Sequence, residues 1–190
     1  MSLRDKKLRY NFPASDARFA SELVMLGKFA GDSSMKSTLI DDPANDAGAT
    51  NQKTFALVFN TGDEVVTGLK AFAEKEHLAA SHFTAIGAFK EVSLGYFDWE
   101  KKDYLKIPVH EQVEVLSLVG DITINDGKPN VHAHVVLGKR DGSTCGGHLL
   151  EAEVRPTLEV ILIESPAHLE RRFDKEAGLA LISLESNPRT

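Results

Sequence analysis

Runs of apolar residues follow one another closely from residue 54 onward. FALVF (55–59) is a short apolar run between polar residues, which is typical of a buried strand. Thr61-Gly-Asp-Glu64 then has the spacing of a capping box, in which Thr61 caps a helix and Glu64 reaches back to it. The pattern after it predicts one helix that ends near His77. The apolar face of this helix is formed by Val65, Leu69, Phe72 and Ala73.

Strand patterns fill most of the remaining chain. Residues 81–88 and 92–98 predict two strands split by a short connection, and residues 104–109 predict an edge strand because Pro108 has no N–H to donate. Residues 113–124 predict a long strand with a bulge or bend at Gly120. Further strands are predicted at VHAHVVL (131–137), around TCGGHLL (144–150), at TLEVILIE (157–164) and at GLALISL (178–184), with a short helix over 165–176.

One main helix followed by seven or eight strands predicts an α+β fold with a curved, mostly antiparallel sheet. We expect this domain to span residues 54–184. Residues 1–53 are then an N-terminal extension and linker, since 41–53 is rich in Asp, Asn, Gly and Pro. Residues 185–190 form a C-terminal tail.

The N-terminal extension has two features of its own. Apolar positions recur at helical spacing between Phe19 and Ala30, which indicates a short amphipathic helix. Met35 precedes a short polar segment and is an alternative start of the chain. With that start, residues 1–34 would lie outside the fold.

Composition and charge narrow the class of protein. A hydrophobic fraction of 42% and a charged fraction of 26% are near the globular average. A net charge of -6 argues against a surface built to neutralise phosphates. The single Cys145 excludes an intrachain disulfide and fits a reducing compartment. No apolar run approaches the roughly 18 residues of a membrane span, and the start lacks a secretory apolar segment, so we expect a cytoplasmic protein without a membrane partner.

Three of the seven histidines surround one predicted hairpin. His132 and His134 are two residues apart, so on a strand their side chains share a face. His148 lies beyond the turn, and its position depends on the loop length. A two-residue turn would pair His134 with Leu149, whereas a three-residue loop over residues 140–142 would pair it with His148.

Two interpretations of these histidines are open on spacing alone. Three neutral imidazoles with an open fourth position form the ligand set of a catalytic zinc site. The alternative is that they are half-buried residues that pack and hydrogen-bond. A bulge at Gly146-Gly147 would offer a second way to bring His148 beside the other two.

Other polar residues near the hairpin are weaker candidates. Cys145 lies an odd number of positions from His148 and should face the other way, as a buried inert thiol rather than a fourth ligand. The same parity places Glu151 and Glu153, two candidates for a general base, opposite His148. Arg155 precedes a proline and is extended, so it either binds an anion or forms a surface ion pair. The histidines without a partner in the sequence are His77, His82, His110 and His168.

Several segments, taken in order, resemble the plant-and-prokaryote-conserved (PPC) domain. They are GDEVVTGLKAFAEKEHLAASHFTAIGAFKEVSLGYFD, EVLSLVGDIT, DGKPNVHAHVVLG and DGSTCGGHLLEAEVRPTLEVIL. The resemblance implies an α+β fold, association as a homotrimer and a family-level role as a predicted DNA-binding or regulatory protein. Plant members join the domain to AT-hooks, Arg-Gly-Arg-Pro segments that enter the minor groove, and this sequence has none. Its short basic clusters, which are typical of solvated surface, are Arg4–Arg9, Lys101-Lys102 and Arg171-Arg172.

The fold of this domain is also similar to that of acetolactate decarboxylase, a zinc enzyme that holds its metal with an H-x-H pair and a later histidine. His132, His134 and His148 match that ligand pattern. The resemblance favours ligation over packing and implies a divalent metal, with zinc the best match to three imidazoles. The alternatives to a DNA-associated protein are therefore a zinc-dependent lyase or hydrolase acting on a small molecule, and a metal-stabilised binding module.

Overall fold

The computed structural model describes residues 35–41 and 52–184. In chain order its elements are β1 (Lys36–Asp41), β2 (Lys53–Asn60), α1 (Val65–Glu76), β3 (Ala80–Asp98), β4 (Asp103–Val109), β5 (Val113–Asn125), β6 (Lys128–Gly138), β7 (Thr144–Glu164), β8 (Glu170–Asp174) and β9 (Leu179–Ser183). The amphipathic helix expected between Phe19 and Ala30, most of the linker and the tail 185–190 lie outside the described residues. Within these ranges no helix has the length and hydropathy needed to cross a membrane.

The described strands form one sheet in the order β1-β2-β7-β3-β5-β8-β9, with β4 on β3 and β6 on both β5 and β7. Every pairing between them is antiparallel except the short contact of β5 with β8 at Ile124 and Glu170. Since β3 and β6 each pair with both β5 and β7, these four strands close into a ring. The predicted α+β fold with a curved, mostly antiparallel sheet is confirmed.

The helix closes one side of the sheet with the predicted apolar face. Val65, Leu69, Phe72 and Ala73 are all buried. Phe72 meets Phe55 of β2 edge-to-face with centroids 5.2 Å apart, and burying such a side chain stabilises the fold by about 1.5–3 kcal/mol. On β6 the buried residues are Ala133, Val135 and Leu137. The residues between them therefore lie on the opposite side of the sheet, which we call the outer face.

The start of α1 differs from the predicted capping box. Glu64 itself is the N-cap, and its carboxylate accepts hydrogen bonds from the backbone N–H groups of Val66 (3.1 Å) and Thr67 (2.7 Å). Thr61 instead donates its hydroxyl to the carbonyl of Pro156. A carboxylate in this position satisfies two of the helix's unpaired N–H groups. The helix ends as predicted, with His77 in the left-handed conformation.

Two predicted strand breaks are wrong, because each pair of segments belongs to one long strand. β3 spans both 81–88 and 92–98, and β7 spans both 144–150 and 157–164. Register shifts between these strands absorb the irregular residues, so the strands bend and continue where the sequence pattern loses its period. The predicted edge strand is confirmed, since β4 pairs with β3 alone.

The predicted helix over 165–176 is also wrong, because these residues lead into the hairpin of β8 and β9. The turn between them is stabilised locally. The side chain of Asp174 accepts a hydrogen bond from the Ala177 N–H at 2.7 Å. Gly178 donates its N–H to the Asp174 carbonyl with a φ of 72°, which favours glycine.

Two further findings concern the first strand and Gly120 of β5. Residues 36–41, which precede the predicted domain start at Thr54, form β1 and pair with β2. Gly120 is not the site of a bulge, since the register shift of β5 lies at Val115 and Ser117. A Cβ at Gly120 would lie 2.5 Å from the ring of Phe83, so this glycine allows a close approach instead.

Candidate metal centre

The register of the hairpin formed by β6 and β7 places two histidines opposite each other. His134 and His148 are direct cross-strand partners. The strands close with the Lys139 N–H donating to the Ser143 carbonyl at 2.8 Å, and Gly142 ends the three-residue loop with a φ of 82°. Of the two registers that the sequence left open, the three-residue loop is therefore observed.

His132, His134 and His148 form a nearly equilateral triangle on the outer face. Their ring centroids are 5.2, 5.2 and 5.3 Å apart, and one nitrogen from each lies within 4.8 Å of the others. The Nε2 atoms of His132 and His134 are 3.3 Å apart. Two imidazole nitrogens on a tetrahedral zinc ion, at about 2.0–2.1 Å each, are separated by roughly 3.3–3.4 Å. As a hydrogen bond between rings, the same distance is long.

His148 carries a polar atom that the fold itself leaves unsatisfied. Its Nδ1 is buried, with no hydrogen-bond partner among the described residues. One face of its ring stacks on Tyr104 with centroids 4.6 Å apart and planes 28° apart. Tyr104 in turn contacts Phe97 at 5.3 Å. An unpaired buried nitrogen is costly, and a metal ion is one group that would satisfy it.

Electrostatics keep these imidazoles in the form that binds metals. Burial, and after it the positive charge of His132, His134 and Arg171, lowers the pKa of His148 from 6.5 to about 4. Burial, and then the charge of His132, also lowers the pKa of His134. At neutral pH both rings are therefore uncharged, as ligation requires.

A carboxylate and a guanidinium support His132 from behind. Asp121 is its cross-strand partner on β5, with Oδ2 at 3.5 Å from His132 Nδ1. Arg171 of β8 donates to the other oxygen of Asp121 at 2.6 Å and to the Thr123 hydroxyl at 2.8 Å. Burial would raise the pKa of Asp121, but the hydrogen bonds and charges of His132 and Arg171 outweigh it and lower the pKa. A carboxylate on the far nitrogen is the usual support of a metal-binding histidine.

Lys101, Lys102 and Arg172 are exposed, as the sequence suggested, whereas Arg171 is not. The cluster Arg4–Arg9 lies outside the described residues. The side chain of Arg171 is only 7% exposed. Lys101 forms an ion pair with Asp98 at 3.2 Å, and the ammonium of Lys102 lies 3.4 Å from the ring centroid of Trp99. A buried guanidinium requires partners, and Arg171 has them beside the histidines.

Of the other candidates, Cys145 has the predicted orientation. It pairs with Leu137 on the core side of the hairpin and packs against the core. The cluster of metal-ligating atoms found in the described part of the chain does not include it. Pairing runs without a register shift through Gly146 and Gly147, so the alternative route by a bulge there is not used.

The predicted orientation of Glu151 and Glu153 is wrong, because β7 has a bulge before them. On β3 the successive residues Ser93 and Leu94 pair with Glu151 and Leu149, so one residue of β7 is extra. Glu151 thus lies on the same side of the sheet as His148. Its carboxylate is outside the three-histidine cluster. Of the remaining two, Glu153 binds Lys90 at 3.0 Å and Arg155 donates to Gln112 at 3.1 Å.

Sequence reasoning missed three residues that surround the histidines: Tyr104, Asp121 and Arg171. A signal for Asp121 exists, because the two-residue turn at Asp126-Gly127 fixes the register that pairs Asp121 with His132. A charge inside the apolar run 113–124 is a second sign. No comparable signal exists for Arg171, which lies on a strand that the sequence pattern gave as a helix.

The family follows from a match to one sequence model. The model of the Plants and Prokaryotes Conserved (PCC) domain matches residues 47–166. The chain belongs to this family. It is the PPC domain that the sequence motifs resemble, and the match covers the strands that carry His132, His134 and His148. The hairpin of β8 and β9, with Arg171, follows the matched residues.

Several solved structures share the PPC fold. A metal-containing protein from Archaeoglobus fulgidus is 41% identical, with a TM-score of 0.64 over 68% of this chain and 92% of that chain. A PPC protein from Pyrococcus horikoshii is 38% identical, with a TM-score of 0.66 over 70% and 93%. A "putative dna binding protein" from Bacteroides thetaiotaomicron is 26% identical, with a TM-score of 0.68 over 70% and 93%.

Two further similarities are weaker or cover only part of the relative. The bifunctional protein GlmU of a Synechococcus strain is 30% identical over 135 residues, which are 70% of this chain and 20% of that protein. The chain thus spans about a fifth of this curated relative's length. A Staphylococcus aureus protein similar to alpha-acetolactate decarboxylase has 15% identity and a TM-score of 0.42, which is too low to carry over its chemistry.

Proposed function

We propose that this PPC-domain protein binds one zinc ion through His132, His134 and His148. The observation that carries the proposal is the 3.3 Å separation of the Nε2 atoms of His132 and His134, which fits adjacent ligands of a tetrahedral ion. The unpaired buried Nδ1 of His148 supports it. So does the similarity to an archaeal protein that is described as metal-containing.

Zinc is favoured over harder cations by the ligand chemistry. Imidazole suits zinc, whereas magnesium and calcium prefer oxygen ligands. Three histidines leave one position of a tetrahedral ion for another ligand, and His134 is exposed at the outer face. With zinc bound, such a position supplies Lewis-acid chemistry toward an oxygen of a small molecule. We therefore infer, as the first candidate function, that the protein binds a small molecule and acts on it as a lyase or hydrolase.

Metal content tests the proposal directly. The protein is purified without added chelator and its metals are quantified by elemental analysis, then by zinc titration of the apoprotein. We expect about one zinc ion per chain in the wild type and its loss in His134→Ala. His110→Ala is the matched control, since His110 is exposed and its ring lies near Glu91 on another part of the surface. A wild type that takes up no stoichiometric metal would falsify the proposal.

We infer further that the protein forms a homotrimer. On the outer face, four exposed residues on four strands lie in one cross-strand row, Ile161, Thr84, Val119 and His134, and two of them are apolar. Val119 is 49% exposed and Ile161 45%, and Ile86 beside them is 61% exposed. Exposed apolar patches of this kind mark interaction surfaces. Because the row reaches His134, a neighbouring chain bound there would complete the walls of the metal site.

Light scattering tests this association. We expect three times the chain mass of 20.8 kDa for the wild type and a monomer for the double variant Ile86→Lys, Ile161→Lys. The control is Thr67→Lys, an exposed position on α1 away from the outer face. A wild type that stays monomeric over the accessible concentration range excludes this part of the proposal.

DNA association is the second candidate function, and it is favoured by the solved relative whose description is "putative dna binding protein". The charges offer it little support. The net charge is -6, Lys101 and Lys102 are engaged locally, and Arg171 is buried. Mobility shifts with random and AT-rich duplexes at low salt test it. A shift that weakens steeply with salt, as counterion release requires, would support DNA binding, and no shift at the lowest salt excludes it.

A further inference from the structure

Arg171, whose guanidinium lies beside the proposed metal ligand His132, is outside the segment matched by the family model. Arg171 is on β8, whereas the match ends at residue 166. β8 pairs with β5 at Ile124, and β5 pairs in turn with β6, the strand of His132. The hairpin of β8 and β9 thus brings a buried cation to the back of the histidine triangle.

All three nitrogens of the Arg171 guanidinium are hydrogen-bonded inside the protein. Nε donates to the Thr123 hydroxyl at 2.8 Å, Nη1 to the Ala180 carbonyl at 3.1 Å and Nη2 to Asp121 Oδ1 at 2.6 Å. Since Thr123 is fully buried and Ala180 belongs to β9, the guanidinium is fixed from three directions. Arg171 therefore acts as a rigid support for the Asp121 carboxylate.

The fixed carboxylate of Asp121 in turn contacts the ring of His132. With Oδ1 held by Arg171, the second oxygen, Oδ2, faces His132 Nδ1 at 3.5 Å. Nη2 of Arg171 carries two protons, of which one forms the 2.6 Å bond to Asp121. The other faces Nδ1 in a contact of 3.4 Å, which is long for a hydrogen bond and weak beside a charge-assisted contact with a carboxylate. A carboxylate can only accept, so it stabilises the tautomer with the proton on Nδ1. Nε2 then keeps its lone pair for the side that faces His134.

We propose that Arg171 is a positioning residue for the metal site. It fixes the Asp121 carboxylate, which favours the Nδ1–H tautomer of His132 and so leaves Nε2 free to bind the metal. The proposal rests on the zinc site proposed above. It assigns the hairpin that follows the family domain a part in metal binding. Direct electrostatics would have the opposite sign, because a guanidinium near a bound cation repels it. The two effects therefore predict opposite results when the charge is removed.

The experiment compares zinc affinity and histidine tautomers in Arg171→Met, Arg171→Lys and Asp121→Asn. Affinity is measured by competition with a chromophoric chelator on the full chain. We expect Arg171→Met to weaken zinc binding by about 10-fold to 100-fold, the range seen when outer partners of metal ligands are lost. Arg171→Lys should be intermediate, since a single ammonium can hold Asp121 without the other two contacts. Arg155→Met removes the same charge from an exposed site and should leave the affinity unchanged.

A double-mutant cycle separates positioning through Asp121 from a general structural role. If Arg171 acts through Asp121, Arg171→Met adds little to Asp121→Asn, whereas independent effects add. Additive losses, or zinc binding by Arg171→Met as tight as wild type or tighter, overturn the proposal. Amide NMR spectra check that the β8 and β9 hairpin is still formed, and Arg171→Lys provides the test if the methionine variant unfolds it.

The tautomer of His132 gives a readout that needs no metal. Long-range 1H–15N spectra of the apoprotein should show the Nδ1–H form in wild type and a mixture in Arg171→Met. If the wild type binds no zinc, the proposed function fails, and this comparison still decides the role of Arg171. An identical tautomer population in the two apoproteins overturns that role whatever the metal result.

Discussion

Tyr104 and His148 stack with ring centroids 4.6 Å apart, and Gly95 of β3 makes the contact possible. Gly95 pairs with His148, and a Cβ on it would lie 2.7 Å from the Tyr104 ring. The Asp121 carboxylate lies 3.5 Å from His132 Nδ1, whereas the ring of His148 stacks on an aromatic face. The triangle of histidines is thus fixed by two different kinds of contact.

Removal of the Tyr104 ring should loosen His148 and weaken zinc binding. Aromatic stacking contributes about 0.5–1.5 kcal/mol, so Tyr104→Ala should lower the affinity by roughly 2-fold to 12-fold. Tyr104→Phe keeps the ring and should bind as the wild type does. Chelator competition on both variants measures the effect. Equal affinities for the alanine variant and wild type would show that the stack does not orient His148.

The metal-free protein should lose stability as the pH falls from about 6.5 toward 4. The folded state lowers the pKa of His148 from 6.5 to about 4, and that of His134 is lowered as well. Between these pH values the unfolded chain binds more protons, so the stabilising contribution is complete above about 6.5 and is lost on acidification. Urea unfolding with chelator present measures it. His148→Phe should flatten the dependence, and an unchanged slope in that variant contradicts the assignment.

Loss of the Glu64 carboxylate should destabilise α1 more than loss of the Thr61 hydroxyl. Glu64→Ala removes the acceptor of two N-terminal N–H groups, which costs about 1 kcal/mol. Thr61→Ala removes one exposed hydrogen bond to Pro156 and should cost less. The free energies of unfolding in urea compare them. The reverse order would restore the capping box that the sequence suggested.

A methyl group at Gly120 should strain the strand that carries His132. The added Cβ would lie 2.5 Å from the Phe83 ring and 2.6 Å from the His132 carbonyl oxygen. Overpacking of this kind costs about 1–3 kcal/mol. Gly138→Ala is the control, since the atoms nearest its Cβ belong to the side chain of Leu116, at 3.2 Å or more. Similar unfolding free energies for the two variants would contradict the close approach.

Local patterns predicted the helix, most strands and the shared position of the three histidines. Each of these depends on periodicity or on the length of a single turn. The helix face and the strand parity of His132 and His134 are of this kind. The pairing of His134 with His148 needed one further fact, the length of the loop that ends at Gly142.

Features that depend on contacts between distant segments were not predictable in the same way. The long strands β3 and β7 continue through irregular residues because partners on both sides hold them. The hairpin of β8 and β9 docks through Arg171, whose partners Asp121 and Thr123 are about 50 positions earlier in the chain. Such a contact cannot be predicted from the sequence pattern around residue 171.

The alternation along β6 has a consequence for how this domain can change. Ala133, Val135 and Leu137 hold the core, whereas His132 and His134 project from the other side of the same strand. Substitution of His132 or His134 therefore removes little of the apolar area that stabilises the fold. Such a sheet can exchange the residues of its outer face, by mutation or by design, while the underlying architecture persists.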